Sequence, residues 1–349
     1  MRIFITGGGG YIGTTLVPYL LRNGHDVTVL DRFYFGEDLL SKSIQSQKSS
    51  RSGHYHSIRG DTRYFDGKIL KGMDAVVDLA ALSNDPSGEL DPWKTMEINF
   101  LGRSRVARLS KEASVKKYLL ASSCSIYGFQ EGLLTEKSKT NPLTTYAKAN
   151  MLAEEDNLRL GDDSFNSSAI RFATVYGLSE RMRFDLAING MVLGAIKNGR
   201  IPLMRDGTQW RPFIHVKDAS RAILCILEAE SAKVNKELFN MGSDSQNYQI
   251  KRLAELVSES VSDPPPEIQW YGDPDNRSYK VSFAKAKDTL RFDAKYTPKD
   301  AVIEIKDALA TGKIDGDSLM TRTVEWYKHL LSDPEASKRV LLEASSSVL

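Results

Sequence analysis

Residues 1–31 constrain the fold more than any other part of the chain. Residues 2–5 form a short apolar run that is typical of a buried strand, and a run of glycines follows at 7–10. Apolar residues then recur at helical spacing from 11 to 23, and a second apolar run, 26–31, ends on a carboxylate. This order predicts two parallel strands joined by a helix in a right-handed crossover.

The glycines in this unit have a spacing suited to phosphate binding. Gly7, Gly10 and Gly13 follow a Gly-x-x-Gly-x-x-Gly pattern, in which the absence of Cβ atoms lets the backbone approach a pyrophosphate. The helix that follows offers free N–H groups to such an anion. Asp31, at the end of the second strand, is placed to bind ribose hydroxyls. The unit therefore predicts a Rossmann-type dinucleotide site.

The residues at the end of the second strand also indicate which dinucleotide binds. The Asp31 carboxylate would repel a 2′-phosphate, whereas the neighbouring Arg32 could attract one. We therefore expect NAD rather than NADP.

Strand and helix patterns continue to alternate after this unit, which predicts an α/β fold with a doubly wound parallel sheet. Beyond Gly177 the alternation loosens, which indicates a smaller, discontinuous lobe. The stretch from Phe35 to Ser57 is polar and is interpreted as a surface excursion without a chemical role. The expected divisions are a Rossmann domain of residues 1–178 plus about 215–245, a substrate lobe of about 179–214 plus 246–315, and a C-terminal helical tail of 316–349.

The composition of the 349 residues argues against several classes of protein. Lys and Arg total 47 against 45 Asp and Glu, a net charge of +2, so nothing favours nucleic acid or an acidic membrane as a partner. Only Cys124 and Cys225 occur, too few for a disulfide framework. No targeting segment is recognised before the first strand, so we expect a cytoplasmic protein. No metal site is predicted.

Further motifs follow the glycine pattern in chain order. They are Gly60-Asp61, residues 78–81 (Asp-Leu-Ala-Ala), 99–102 (Asn-Phe-Leu-Gly), 122–128 (Ser-Ser-Cys-Ser-Ile-Tyr-Gly), Tyr146 after Asn141-Pro142, and 210–218 (Trp-Arg-Pro-Phe-Ile-His-Val-Lys-Asp). Taken together, they resemble the extended short-chain dehydrogenase/reductase family, in its nucleotide-sugar epimerase/dehydratase branch. The resemblance covers about residues 1–310.

This resemblance implies NAD as the cofactor and a nucleotide-diphosphate sugar as the substrate. The residues it assigns to the cofactor are Gly7, Gly10, Tyr11, Ile12, Gly13, Asp31, Arg32, Asp61, Thr62, Leu79, Ala80, Ala81, Asn99 and Ser122. Those assigned to the substrate are Ser83, Asn84, Ser125, Thr174, Asn189, Arg211 and Arg277. Some have simpler alternatives: Asn99 could bridge backbone groups, Ser83 and Asn84 could cap a loop, and Arg211 could form an interlobe salt bridge.

The resemblance also implies a catalytic pair. Tyr146 would remove the proton of a sugar hydroxyl, usually at C4, and Ser123 would hydrogen-bond the same oxygen. Family members carry a lysine four residues after the tyrosine, which lowers the pKa of the phenol and holds the nicotinamide ribose. In this chain that position is Asn150, which brings no charge. Lys148 lies on a different helix face and cannot substitute for it.

Three interpretations of Asn150 remain open at this point: an ordinary enzyme in which cofactor and solvent suffice, a slow enzyme of narrow scope, or a chain that traps its ligand. We expect Asn150→Lys to raise turnover or to move the pH optimum downward.

The choice of reaction depends on two positions after Ser123. Dehydratases of the family carry an Asp-Glu pair there, whereas this chain has Cys124 and Ser125, so dehydration is disfavoured. A C4 epimerase is favoured, with a C4 dehydrogenase or 4-keto reductase, or a weakened dinucleotide sensor, as alternatives. A homodimer is implied by the resemblance alone.

Overall fold

The computed structural model describes residues 1–46, 53–204, 206–273 and 277–342. Its strands, in chain order, are β1 (Arg2–Thr6), β2 (Asp26–Asp31), β3 (Tyr55–Arg59), β4 (Ala75–Asp78), β5 (Lys117–Ser123), β6 (Phe129–Leu134), β7 (Asn166–Phe172), β8 (Thr174–Tyr176), β9 (Arg200–Met204), β10 (Trp210–His215), β11 (Leu238–Met241), β12 (Asn247–Gln249), β13 (Glu267–Tyr271) and β14 (Ser278–Val281).

Helices connect most of these strands. They are α1 (Gly13–Arg22), α2 (Asp38–Ser46), α3 (Asp85–Gly88), α4 (Pro92–Met96), α5 (Arg103–Glu112), α6 (Thr145–Arg159), α7 (Ala187–Asn198), α8 (Val216–Glu228), α9 (Ser231–Val234), α10 (Ile250–Val261), α11 (Ala284–Leu290), α12 (Pro298–Ala310), α13 (Thr323–Ser332) and α14 (Pro334–Val340). A π-helical turn, Glu97–Gly102, leads directly into α5.

The central sheet has seven strands in the order β11-β7-β5-β4-β1-β2-β3. Every adjacent pair in it is parallel. The central strands β1 and β4 are almost continuous runs of buried residues, as expected where helices cover both faces of a sheet. The predicted doubly wound α/β fold is therefore confirmed. Its carboxyl-terminal edge is where such folds bind their ligands.

The smaller lobe is built from a three-stranded sheet, β12-β10-β8, and a two-stranded sheet, β13-β9. Helices α7, α10 and α12 pack on these strands around a second apolar core. The chain returns to the central sheet between the parts of this lobe, because β11 pairs with β7. Strand β14 pairs with β6, so a late segment of the chain also joins the first lobe.

The C-terminal helices α13 and α14 pack against the loop that follows β2. Tyr327 lies against Tyr34 and Phe35 at ring-centroid distances of 5.7 and 5.8 Å, and Trp326 donates a 2.7 Å hydrogen bond to the Tyr34 carbonyl. The interpretation of residues 35–57 as a surface excursion without a role was therefore partly wrong, since Phe35 is buried. Residues 47–52 of that stretch lie outside the described part of the chain. None of the helices in the described parts of the chain has the length and hydropathy that a membrane-spanning segment requires.

Candidate active site

One cavity of about 680 Å³ opens at the carboxyl ends of β1, β2, β4 and β5 and extends into the smaller lobe. Residues from both lobes line it. The residues predicted from the sequence that lie in its lining are Gly7, Gly10, Tyr11, Ile12, Gly13, Asp31, Arg32, Asp61, Thr62, Leu79, Ala80, Ala81, Ser83, Asn84, Ser122, Ser123, Ser125, Tyr146, Thr174, Arg211 and Arg277.

The glycine turn forms one wall of this cavity. Gly7 has a φ of +72°, and a Cβ atom there would lie 2.7 Å from the Ala80 backbone, so β1 and β4 can only meet closely with glycine at this position. A Cβ atom at Gly13 would lie 2.3 Å from the Gly8 carbonyl oxygen. Among the described residues, the Gly7 carbonyl oxygen at 3.2 Å is the only atom close to the place that a Cβ atom at Gly10 would take. Gly10 therefore leaves the space in front of α1 open.

Three charged residues line the part of the cavity beyond β2. The Asp31 carboxylate accepts hydrogen bonds from the Gly9 and Phe33 N–H groups at 2.8 and 2.7 Å. Burial raises the pKa of Asp31, while these backbone bonds lower it. Arg32 does not project freely into the cavity, because its Nη1 atom donates to Oδ2 of Asp61 at 2.8 Å.

Arg181, in the loop after β8, was not predicted from the sequence. Its side chain is buried in the cavity wall, with the guanidinium 3.5 Å from the centre of the Phe35 ring. Nη2 donates to Thr323 at 3.0 Å, but Nε and Nη1 find no hydrogen-bond partner within the described chain. Burial and the positive charge of Arg183 lower the pKa of Arg181 to about 9. Such unpaired buried donors are suited to an anionic ligand.

Tyr146 and Ser123 both line the cavity, and the Ser123 hydroxyl hydrogen-bonds the Tyr146 phenol. Ser123 ends β5, and Tyr146 lies in the first turn of α6, which the Thr144 side chain caps by accepting a 3.1 Å bond from the Ala147 N–H. A Cβ atom at Gly88 would lie 2.9 Å from Cβ of Tyr146, so the α3 segment packs directly on the tyrosine. The phenol and the serine hydroxyl are thus held by separate rigid elements.

The protein environment acts on the Tyr146 phenol in both directions. Burial raises its pKa most, and the negative charge of Asp85 raises it further. The positive charge of Arg103 and hydrogen bonds from Ser123 and Asn150 lower it. The net effect in the chain alone is a raised pKa, so ionisation of Tyr146 near neutral pH needs a further positive charge.

Asn150 lies outside the cavity lining. It is fully buried, its Nδ2 atom donates to the Tyr146 carbonyl at 3.0 Å, and its Oδ1 atom accepts from Nη1 of Arg103 at 2.8 Å. Asn150 therefore acts on the site from behind the cavity wall, because the protein already uses both ends of its amide. Arg103 was not predicted, although it shares the buried face of α5 with Ala107 and Ser110.

Two more predicted residues, Asn99 and Asn189, also lie outside the lining and hold backbone groups instead. Asn99 bonds both the N–H and the carbonyl of Leu82, at 2.8 and 3.1 Å. Asn189 accepts from the Gly177 N–H at 2.9 Å and donates to the Tyr11 hydroxyl at 3.0 Å. These side chains shape the cavity walls, which is the simpler alternative considered for Asn99 above.

Two arginines of the smaller lobe line the far end of the cavity. Arg211 donates to the Trp210 carbonyl at 2.9 Å and to the Arg277 carbonyl, and its guanidinium lies 5.1 Å from the Tyr279 ring centre. Arg277 forms an ion pair with Asp85, whose other oxygen accepts a 2.6 Å bond from Thr144. Asp85 thus links the smaller lobe to the turn that carries Tyr146.

The segment after β4 contributes to the same cavity. The Asn84 side chain accepts from the Ser87 N–H at 2.8 Å, which caps α3, and donates to Asp185 at 2.9 Å. Arg183 pairs with Asp185 at 2.6 Å and also donates to Ser83 at 3.3 Å. The loop-cap alternative for Asn84 is therefore correct, and the residue lines the cavity as well.

Comparison with known proteins places this geometry in a family. A family model described as the NAD dependent epimerase/dehydratase family matches residues 3–242. A UDP-glucose 4-epimerase of Lactobacillus helveticus is 28% identical over 325 residues, which cover 87% of this chain and 95% of the relative. A UDP-glucuronate 4-epimerase of Thermodesulfobacterium geofontis (strain OPF15) is 27% identical over 335 residues, covering 93% of this chain and 95% of the relative.

A solved structure shares the fold. The UDP-glucuronic acid 4-epimerase of Bacillus cereus, in complex with UDP-glucuronic acid and NAD, aligns with a TM-score of 0.76 at 23% identity, covering 89% of this chain and 99% of that one. The predicted NAD-dependent enzyme is confirmed at the level of the family, whose description includes both epimerases and dehydratases. Because the matched residues make up more than half of the sequence, the chain belongs to the NAD dependent epimerase/dehydratase family.

Proposed function

We propose that the chain is a 4-epimerase of a nucleotide-diphosphate sugar, which inverts C4 by reversible hydride transfer through a 4-keto intermediate. The observation that carries this proposal is the convergence of Tyr146 and Ser123 in a cavity that also contains the glycine turn and Arg211. The identity of two relatives as UDP-sugar 4-epimerases supports uridine as the base.

The cavity residues fit NAD. The open space at Gly10, in front of the N-terminus of α1, suits a pyrophosphate, and the unpaired Nε and Nη1 atoms of Arg181 suit the same anion or a neighbouring ribose. Asp31 retains acceptor capacity for ribose hydroxyls beside its two backbone bonds. Bound there, NAD⁺ would supply the hydride acceptor and a positive charge.

The protein's own part in the chemistry is proton transfer. Tyr146, as phenolate, takes the proton of the C4 hydroxyl while Ser123 hydrogen-bonds the same oxygen, and Tyr146 returns the proton once the hydride has been delivered to the other face of C4. The proton is thus conserved through the cycle, and no other acid is required. A base of this kind typically contributes about 10²–10⁴-fold to the rate.

The groups around the sugar argue against dehydration. The Cys124 thiol is buried and donates to the Arg171 carbonyl at 3.3 Å, so it does not reach the cavity. Ser125 lines the cavity with an unpartnered hydroxyl among the described residues, which suits binding of a sugar hydroxyl but not removal of a proton from carbon. The epimerase reaction needs neither position to be acidic.

The same proposal includes a homodimer formed through α5 and α6 and their flanking turns. Trp93 is 82% exposed and Leu101 56% exposed on this side, and large apolar side chains so exposed are suited to burial against a second copy. We also propose that residues 1–178 and about 215–245 form the dinucleotide-binding lobe and that about 179–214 and 246–315 form the substrate lobe. The C-terminal helices then cover the part of the cavity that binds the dinucleotide.

The proposal is tested by incubating the chain with NAD⁺ and UDP-glucose, UDP-glucuronate and their thymidine, guanosine and cytidine counterparts, and analysing the products by NMR. The expected result is a C4-inverted sugar from at least one uridine compound and none from Tyr146→Phe. Tyr64→Phe, at a surface tyrosine that is 69% exposed, is the matched control and should keep full activity. No product from any of these sugars would contradict the proposal.

A further inference from the structure

We propose that Arg103 and Asn150 together take the place of the single lysine found in related enzymes: Arg103 supplies the positive charge, and Asn150 connects it to Tyr146. Arg103 is then a positioning residue that acts through Asn150. The inference rests on the proposed function only in the role it gives to Tyr146, and its test does not require a sugar substrate.

Arg103 is a buried cation directed at the active-site end of the sheet. Its side chain is 1% exposed, and its guanidinium reaches the carboxyl ends of two adjacent strands. Nη2 donates to the carbonyl of Asp78 at the end of β4, at 3.0 Å, and to that of Ala121 in β5. Burying a guanidinium is costly unless its donors are satisfied, and the three hydrogen bonds made by Nη1 and Nη2 fix its position, while Nε has no hydrogen-bond partner among the described residues.

The third hydrogen bond of the Arg103 guanidinium goes to Asn150, which in turn bonds the Tyr146 main chain. Nη1 of Arg103 donates to Oδ1 of Asn150 at 2.8 Å, and Nδ2 of Asn150 donates to the backbone carbonyl of Tyr146 at 3.0 Å. The Asn150 amide thus ties the Arg103 cation to the helical turn that carries Tyr146, and the charge acts on the phenol through space. Asn150 is four residues after Tyr146, so one helical turn separates the two Cα atoms.

The other charged groups near Tyr146 have contacts of their own. Asp85, from the α3 segment, pairs with Arg277, and Arg183, from the loop after β8, pairs with Asp185 at 2.6 Å. The Glu89 carboxylate, also from that segment, accepts a 2.7 Å bond from the Thr145 N–H at the start of α6.

Arg103 has a looser counterion than these pairs. Its Nε atom lies 3.7 Å from Oδ1 of Asp78, whose carboxylate oxygens already accept bonds from Thr6 at 2.6 Å and Tyr118 at 2.7 Å. Arg103 is therefore less closely paired with its counterion than Arg183, whose ion-pair distance is 2.6 Å.

This arrangement reverses the expectation for Asn150→Lys. An ammonium at this position would lie against the Arg103 guanidinium in a buried site, where like charges repel strongly. The single substitution should therefore destabilise the chain and leave turnover no higher. Combining it with Arg103→Met, which removes the guanidinium and keeps an unbranched apolar side chain, should relieve the repulsion.

The test measures ionisation of Tyr146 in the full chain labelled with ¹³C at the tyrosine ζ carbon, with and without saturating NAD⁺. The Tyr146 signal is assigned by its loss in Tyr146→Phe. Arg103→Met should lower the ionisation constant of Tyr146 about tenfold or more. Arg108→Met is the matched control: Arg108 also lies on α5 and pairs with Asp156 on α6 at 2.7 Å, but it is 54% exposed and away from Tyr146. It should leave the ionisation curve unchanged.

A Tyr146 ionisation curve that is the same in Arg103→Met as in the unsubstituted chain overturns the proposal. Should Arg103→Met fail to fold, thermal unfolding of Asn150→Lys and of the double substitution Asn150→Lys with Arg103→Met decides instead. A melting temperature of the double variant above that of Asn150→Lys supports the proposal that Arg103 and Asn150 replace the lysine. A melting temperature no higher than that of Asn150→Lys overturns it. Because no sugar is present, failure of the proposed epimerase reaction would leave these results intact.

Discussion

Arg32 donates a hydrogen bond of 2.8 Å from Nη1 to Oδ2 of Asp61, and both side chains are almost fully buried. Asp61 accepts a second 2.8 Å bond on the same oxygen from Arg63. The arginine that could have attracted a 2′-phosphate is thus held by a carboxylate of the neighbouring strand end. This relationship explains how a basic residue after Asp31 is compatible with NAD.

Cofactor preference follows from this pair. The unsubstituted chain should bind NAD about tenfold or more tightly than NADP, because Asp31 repels a 2′-phosphate. In an Asp31→Ser background, adding Asp61→Asn should release Arg32 and shift the NADP-to-NAD affinity ratio further toward NADP. Fluorescence titration with NADPH and NADH measures the ratio. The control is Asp66→Asn, at an exposed carboxylate that caps the next turn. An equal change of the NADP-to-NAD affinity ratio in Asp61→Asn and Asp66→Asn would contradict the account.

Stability at acid pH depends on the same carboxylate. Burial raises the pKa of Asp61, but hydrogen bonds and charge from Arg63 and Arg32 outweigh it and lower the pKa to about 2. A carboxyl group with a lowered pKa stabilises the fold above its unfolded pKa of about 3.9, and this contribution disappears as pH falls toward 2.

Asp61→Asn should therefore reduce the free energy of unfolding at pH 7 by about 2 kcal/mol, and by much less near pH 2. Urea unfolding at several pH values measures the difference. A loss of the same size at both ends of the pH range would show that the charge of Asp61 is not the cause.

Substitution of Arg181 should lower the affinity for NAD without a matching loss of stability. Arg181→Met removes a buried cation whose Nε and Nη1 atoms lack partners in the described chain, which offsets the loss of its Thr323 bond and Phe35 contact, so the melting temperature of the ligand-free protein should change little. Its NAD affinity should fall about tenfold or more, as expected for lost charge-assisted hydrogen bonds. Calorimetric titration with NAD⁺ measures this effect, with Lys313→Met, which removes the partner of the adjacent Glu180, as the control. Unchanged NAD affinity in Arg181→Met would place the cofactor elsewhere.

Substitution of Arg211 should weaken binding of the nucleotide diphosphate rather than of NAD. A guanidinium binds diphosphate oxygens in a forked geometry, so Arg211→Met should weaken binding of UDP to the NAD-saturated chain by about tenfold or more. The affinity for NAD should stay the same. Arg252→Met removes an exposed arginine of the same lobe and should change neither affinity. If Arg211→Met weakens NAD binding instead, the assignment of the two ends of the cavity is reversed.

The fold was predictable because its signals are local. The apolar strands, the glycine turn and Asp31 lie within one short stretch of sequence, and their periodicity is read without knowing the rest of the chain. Helical spacing of apolar residues over 216–228 predicts a helix there, and α8 spans the same residues. The same spacing predicts a helix over 183–197, but α7 begins only at Ala187, and Arg183 and Asp185 pair with each other in the preceding loop.

The parts of the site that were missed depend on contacts between distant segments. Asp85 and Arg277 meet across 192 positions, and Arg181 becomes a cavity residue only because the C-terminal helices enclose it with Phe35. Arg103 carried a usable signal, since an arginine on the buried face of a helix requires a partner. Its connection with Asn150 could be recognised only from the packing of α5 on α6.

Transfer of a deuterium label at C4 tests the central claim most directly. UDP-glucose or UDP-glucuronate carrying deuterium at C4 is incubated with the chain and NAD⁺ in ordinary water, and the product is examined by NMR and mass spectrometry. The account predicts inversion at C4 with the deuterium retained, and loss of this product by about 10²–10⁴-fold in Tyr146→Phe while NAD binding persists. Washout of the deuterium into solvent, or an unchanged rate in Tyr146→Phe, would contradict it.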